Sequence, residues 1–144
     1  MKKSSLRQLI IIIHVVCILL VSLCSCSSSE MISYYSHKEH YISVIGTVSY
    51  INYSEDTTAL YIGFSEMYPT LDDTCFKICG ENFEIVKANK IDDKLTIGEQ
   101  IIFITAPMYF GDGYIMPIVA LSINGEDLLN FEEGYENWID WLSK

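Results

Sequence analysis

Two histidines and two cysteines are the residues whose types could hold a metal: His37 and His40, separated by Lys38-Glu39, and Cys75 and Cys79. In kind they match a structural zinc set. The histidine spacing suits a turn or a helix, but the cysteines resist. Cys75-Phe76-Lys77-Ile78-Cys79 alternates like a strand, which holds the two Cα atoms about 13 Å apart at ~3.3 Å per residue. Both sulfurs then miss a common ion at ~2.3 Å and miss each other, since a disulfide needs Cα atoms within about 7 Å. Unless that segment is helical, the pair is two small, half-buried thiols. The acid doublets Asp72-Asp73, Asp92-Asp93, Glu126-Asp127 and Glu132-Glu133 lack the spacing of an EF-hand loop and read as solvated turn residues. Neither a His-Glu-x-x-His nor a Gly-x-Ser-x-Gly pattern occurs in the sequence, so metalloprotease and serine-hydrolase chemistry have no support. No catalytic residue, metal or cofactor is expected.

The one cysteine with a chemical context is Cys26. Lys2, Lys3 and Arg7 precede an apolar run from Leu9 to Leu23, which closes on Leu23-Cys24-Ser25-Cys26. Basic, apolar and then small residues at a cut make a secretory signal. The run is shorter than the ~20 apolar residues that span a bilayer, and His14 interrupts it. An uncleaved signal anchor is the alternative. The ending resembles the lipobox of bacterial lipoproteins, with Leu23 at −3, Ser25 at −1 and Cys26 as the lipidated residue that becomes the mature N-terminus. Cys24 is the poorer match, with Leu23 at −1 and Val21 at −3. The resemblance implies a signal peptide over 1–25, a diacylglycerol on the Cys26 thiol and often an acyl chain on its amine. More than one acyl chain gives stable anchoring, at ~0.8 kcal/mol per buried methylene. It also implies an extracytoplasmic location, with the membrane as a partner through the lipid.

Removing residues 1–25 leaves 119 residues with six lysines, no arginine and all nineteen acids, a net charge of −13. That length suits one domain. The balance argues against nucleic acid, whose phosphates demand lysine and arginine, and against phosphoryl chemistry, where arginine forks hold the anion. It fits plain solubility or a basic partner.

Residues 26–40 read as a polar tether. From Tyr41 the texture becomes strand. Ile42, Val44, Val48 and Tyr50 share a face, and Gly46 marks a bend or bulge. Leu60, Ile62 and Phe64 give a second strand, and Cys75–Cys79 a third. Residues 83–90 favour a short helix capped by Asn82, with a hairpin return as the alternative. Ile101-Ile102-Phe103-Ile104 is apolar on both faces and so predicts a buried strand. A hairpin through Gly111-Asp112-Gly113 then returns on Ile115, Val119, Leu121 and Ile123, with Pro117 implying an edge or bulge. A C-terminal amphipathic helix over 132–143 gathers Tyr135, Trp138, Ile139 and Leu142 on one face, leaving Trp141 partly exposed.

Three strands, a short helix and two more strands are the order of an OB-type barrel. With Ile45-Gly46-Thr47-Val48 on the first strand and Ile97-Gly98-Glu99-Gln100-Ile101-Ile102-Phe103 opening the fourth, the sequence resembles small OB-like domains of bacterial lipoproteins of unknown function. The resemblance covers roughly 41–124 and implies a mainly β fold, a five-stranded barrel within 41–144. Barrels of this type bind ligands on the face of strands two and three with neighbouring loops. Met108-Tyr109-Phe110-Gly111-Asp112-Gly113-Tyr114, with Tyr53, Tyr61 and Tyr68 near, therefore reads either as a contact surface built on Tyr109, Phe110 and Tyr114 or as a self-packed hairpin over the barrel's end. The expected role is a non-enzymatic binding or accessory module with a protein or glycan partner. The alternatives are an immunity-type lipoprotein that neutralises a basic toxin and a small secreted enzyme domain.

Overall fold

The computed structural model describes residues 29–108 and 116–144. Residues 29–35 are helical. The chain divides into two units, Met1–Tyr34 and Tyr35–Lys144, and every strand among the described residues belongs to the second. Cys26 and the segment 1–25, like Tyr109, Phe110 and Tyr114, lie outside the described residues. No helix among the described residues is long and apolar enough to cross a membrane.

Strand β1 (Ile42–Tyr53) buries Val44 and Val48 on one face. Between them a Cβ on Gly46 would stand 2.5 Å from the Phe64 ring of β2 (Ala59–Tyr68), so the glycine is what lets Phe64 cross the strand. The irregularity follows just beyond it. Register shifts leave Ser65 unopposed on β2 and Ser49 unopposed on β1. An extra residue reverses which side chains face inward. Past Ser49 the inward positions become Ile51 and Tyr53, which pack on the core. Tyr50 is turned out to solvent, although the sequence reading set it on the inner face. The turn after β1 is closed by Asp56, which accepts hydrogen bonds from the hydroxyls of Ser54 (2.7 Å) and Thr58 (2.7 Å); they hold its carboxyl below the usual range.

Strand β3 (Cys75–Cys79) pairs antiparallel with β2, as its alternation predicts, and points Phe76 and Ile78 inward. The expected helix is α1 (Glu81–Ala88). Its N-cap is Gly80 at φ 61°, not Asn82. Asn82 lies inside the helix, buried, with Nδ2 donating to the Gly134 carbonyl at 2.8 Å. A further turn, α2 (Ile91–Lys94), leads to β4 (Gln100–Thr105), antiparallel to β1.

The expected five-stranded barrel gives way to an α+β fold. Seven strands form one open, mixed sheet, in the order β5-β3-β2-β1-β4-β6-β7, that is not closed into a barrel. The difference arises after β4. The single return strand expected over 115–123 is split into β5 (Met116–Pro117), parallel to β3, and β6 (Ala120–Ile123), antiparallel to β4. Pro117 supplies no N–H to a ladder. Ile118 and Val119 leave the strands, their amides donating to the Lys77 carbonyl at 2.8 Å and the Ile104 carbonyl at 2.9 Å. Consecutive residues thus reach strands far apart in the sheet order, which requires the open sheet to curl. The Asn124-Gly125 turn, at φ 53° and 80°, then starts the outer strand β7 (Glu126–Leu129).

The core sits inside the curl. Phe64 stacks on Phe103 at 4.6 Å between ring centres, and Phe76 meets both edge-on at 5.5 and 5.0 Å. Helix α3 (Phe131–Leu142) packs across the 118–120 segment. Its N-cap, Asn130, accepts the Glu133 amide at 3.0 Å. At Gly134 a Cβ would collide with the Val119 carbonyl oxygen. Trp138 is buried between Tyr35 (5.3 Å, edge-on) and Trp141 (5.1 Å, stacked). Of the face expected on this helix, Tyr135, Ile139 and Leu142 are only half-buried. Tyr35 and the 3-10 turn Lys38–His40 lie within the stretch that the sequence presents as tether. The Lys38 ammonium pairs with Glu132 and lies over the Tyr135 ring at 4.8 Å.

Candidate functional site

Side chains alternate across a strand and paired residues share a face, so the registers define what the outer face of the sheet carries. One transverse row reads Tyr68 (β2), Ile45 (β1), Ile102 (β4), Ser122 (β6) and Asp127 (β7). Beside it runs Glu66, Thr47 and Gln100. On the other side Ser43 pairs with Ile104. Tyr68 is 79% exposed, Ile102 47% and Ile45 38%. Three large apolar side chains on adjacent strands thus stand in solvent in one line. Shallow depressions flank them. One of about 320 Å³ is bounded by Ile45, Thr47, Glu66, Tyr68 and Gln100. Another of about 260 Å³ lies beside Ile102, Ile104, Ser122 and Phe131.

This patch overturns one expectation. Ile101-Ile102-Phe103-Ile104 is not buried on both faces. Ile101 and Phe103 point inward, Ile102 outward, and Ile104 is half-buried. The signal available was the polar residues alternating on the same face, Ser43, Thr47 and Gln100.

The opposite end of the outer face is covered. The row Asn52, Tyr61 and Lys77 meets the C-terminal end of α3, where the Lys77 ammonium lies 5.0 Å from the Trp141 ring centre and 5.9 Å from that of Tyr61. Trp141 approaches Gly80 so closely that a Cβ there would stand 2.8 Å from Cδ1. Cys79 is buried beneath, and burial pushes its thiol up to about 11. Burial, then the Asp73 carboxylate, also raises the Cys75 thiol. Both cysteines are free and held apart on β3. Neither is primed as a nucleophile, because attack requires the thiolate.

The remaining candidates do not converge. Among the described residues no three His, Cys, Asp or Glu side chains come together as a metal site. His37 Nδ1 lies 3.1 Å from Glu39 Oε1. The acid doublets have local partners. Asp73 accepts the Cys75 amide at 3.0 Å, Asp92 accepts the Tyr53 hydroxyl, and Glu126 pairs with Lys94 at 2.6 Å. Of the tyrosines expected near the aromatic loop, Tyr61 and Tyr68 face outward, whereas the bulge turns Tyr53 inward against Phe83. Met108, at the foot of that loop, is exposed, and its carbonyl accepts the Tyr35 hydroxyl at 3.2 Å. Comparison of the chain with protein-family models, curated proteins and solved structures finds no match.

Proposed function

We propose that this chain is a lipid-anchored, extracytoplasmic module of the bacterial cell envelope that binds a protein partner through the outer face of β2, β1 and β4 and performs no catalysis. The exposed row Tyr68, Ile45 and Ile102 carries the proposal. Large apolar side chains scattered singly over a surface need no explanation, but a contiguous set suggests an interaction site. Covering these three removes roughly 3–6 kcal/mol of unfavourable hydration before the cost of association is counted. Two of the three are branched aliphatics, which offer no ring for a sugar to stack on, so a protein fits better than a glycan. The OB-type strand path is part of the same reading. It is supported by antiparallel β1-β2-β3, parallel β3-β5 and antiparallel β1-β4-β6 pairing. The anchoring rests on Leu23-Cys24-Ser25-Cys26.

Two measurements test this. A palmitate analogue should label the full chain and leave Cys26→Ala unlabelled; equal labelling of both ends the lipoprotein reading. A photo-crosslinking residue at Gln100 in living cells should give a discrete adduct that Ile102→Asp abolishes. An adduct formed equally well from Glu84, on the outside of α1, would remove the outer face as the binding surface.

A further inference from the structure

The outer face carries a charge pattern that narrows its partner. In the three rows that hold the apolar residues, the only charged side chains are Glu66, beside Ile45 and Tyr68, and Asp127, at the far end of the Ile102 row. Both are exposed, and neither lies within ion-pair distance of a cation among the described residues. Four strand spacings of ~4.8 Å separate Tyr68 from Asp127, so the row is about 19 Å long. Three lysines of the folded unit are engaged with other groups. Lys38 is held by Glu132, Lys94 by Glu126, and Lys77 between Tyr61 and Trp141 at the covered end. An apolar strip flanked by two uncompensated carboxylates thus lies in a chain whose residues 26–144 carry a net charge of −13.

We infer that the partner of this face is a protein surface whose apolar side chains are flanked by lysine or arginine; the inference rests on the outer face being the binding surface. Each carboxylate is desolvated when the apolar row is covered, and only a cation opposite it offsets that cost. A second copy of this chain would bring like charges together over the same strip, which costs free energy. A cationic surface without apolar groups would leave Ile45 and Ile102 wet. The field of the remaining acids draws a basic partner in.

The test uses the full chain in nanodiscs of neutral phosphatidylcholine and three photoreactive amphipathic peptides. The first has a leucine face flanked by lysine, the second the same face flanked by glutamate, and the third the lysines with serine in place of leucine. The lysine-flanked peptide should crosslink at Thr47, Gln100 or Ile102, with each of the other two weaker by about tenfold or more. The pair Glu66→Lys and Asp127→Lys should weaken it by a similar factor. The pair Glu55→Lys and Glu84→Lys makes the same change in net charge near the other end of β1, where Glu84 lines a depression with Thr58 and Ala59. That end is about 26 Å from Ile45 at ~3.3 Å per residue, well beyond a Debye length of ~8 Å, so binding should change by less than about twofold. Glutamate-flanked binding as tight as lysine-flanked binding overturns the basic partner and leaves the surface standing. Equal loss from the two pairs of reversals also overturns it, because it reduces the effect to overall charge. Crosslinks that map away from the outer face, or that survive Ile102→Asp, overturn the surface itself.

Discussion

Ile102 and Phe103 are neighbours in one strand, both large and apolar, and their surroundings are opposite. Phe103 is buried in a stack with Phe64 and Phe76. Ile102 stands in solvent between Ile45 and Ser122. The backbone, hydrogen bonding and side-chain class are shared, so the difference isolates what each face of the sheet is for. The inner face is filled by side chains from strands that the curl brings together. On the outer face the C-terminal end of α3 covers the row of Lys77 and Tyr61 and leaves the row of Tyr68, Ile45 and Ile102 open. The contrast teaches that exposure of an apolar residue is informative when the same strand has a filled core beside it.

The contrast breaks first from the inside. Phe103→Ala removes the ring that Phe64 stacks on and Phe76 abuts, and the cavity should lower unfolding stability by about 3–5 kcal/mol in urea titrations. A loss under about 1 kcal/mol would mean that the inner face is as loosely organised as the outer. Gly134→Ala attacks the same core from the helix side. Its methyl must displace the Val119 carbonyl, and overpacking of this kind costs about 1–3 kcal/mol or more. A melting temperature equal to wild type would show that α3 does not rest on the 118–120 segment.

How much of this contrast was legible follows from what pattern encodes. Leu60, Ile62 and Phe64, and Phe76 with Ile78, alternate with polar or small neighbours, so strand and inward face were both readable. Ile101 to Ile104 offers no alternation, and residue type alone cannot separate a covered isoleucine from an open one. Gly46 signals a bend or bulge in β1, and the register shifts follow just beyond it, but nothing local marks Ser49 and Ser65 as the unopposed residues, so Tyr50 falls on the other face. Strand β7 was missed although Asn124-Gly125 is a strong hairpin signal. The candidate site was legible only at Tyr68. Ile45 and Ile102 gain meaning when register aligns three strands, which is long-range information. Closure of the barrel failed at Pro117 to Val119, where an edge-strand residue was foreseen and a two-residue break in the ladder was not.

Smaller effects sharpen the comparison at the covered end. Asn82 ties α1 to α3, donating to the Gly134 carbonyl and accepting from Asn137 Nδ2 at 3.0 Å. Asn82→Ala leaves buried polar groups unpaired and should cost about 2 kcal/mol by thermal or urea unfolding; a neutral effect would mean that water replaces the amide. Cys79 adds a pH signature. Its buried thiol keeps its proton up to about 11, whereas the unfolded chain releases it near ~8.5. As pH rises between those values the unfolded state loses its proton first, so this contribution is fully present below the unfolded value and disappears toward the folded one. The loss should total about 3 kcal/mol. It should be absent in Cys79→Ala, read as the difference between the two unfolding curves; parallel curves would mean that the thiol is wet. The Trp141 end is then as open as the Ile102 end, and the asymmetry of the outer face is gone.

The smallest stability effect is the one that speaks for function. Ile102→Asp replaces a side chain that is 47% exposed, so the change in unfolding free energy should stay at about 1 kcal/mol, from strand propensity and the lost partial burial. If the mutant instead falls by 2 kcal/mol or more, as removal of a core side chain does, Ile102 belongs to the packing and the open row is part of the fold. If the change stays that small while the Gln100 adduct is lost, the two neighbours have separate employments: Phe103 is retained for folding and Ile102 for contact. That dissociation cannot come from general destabilisation, because the inner-face variants lower stability far more than the outer-face variant does.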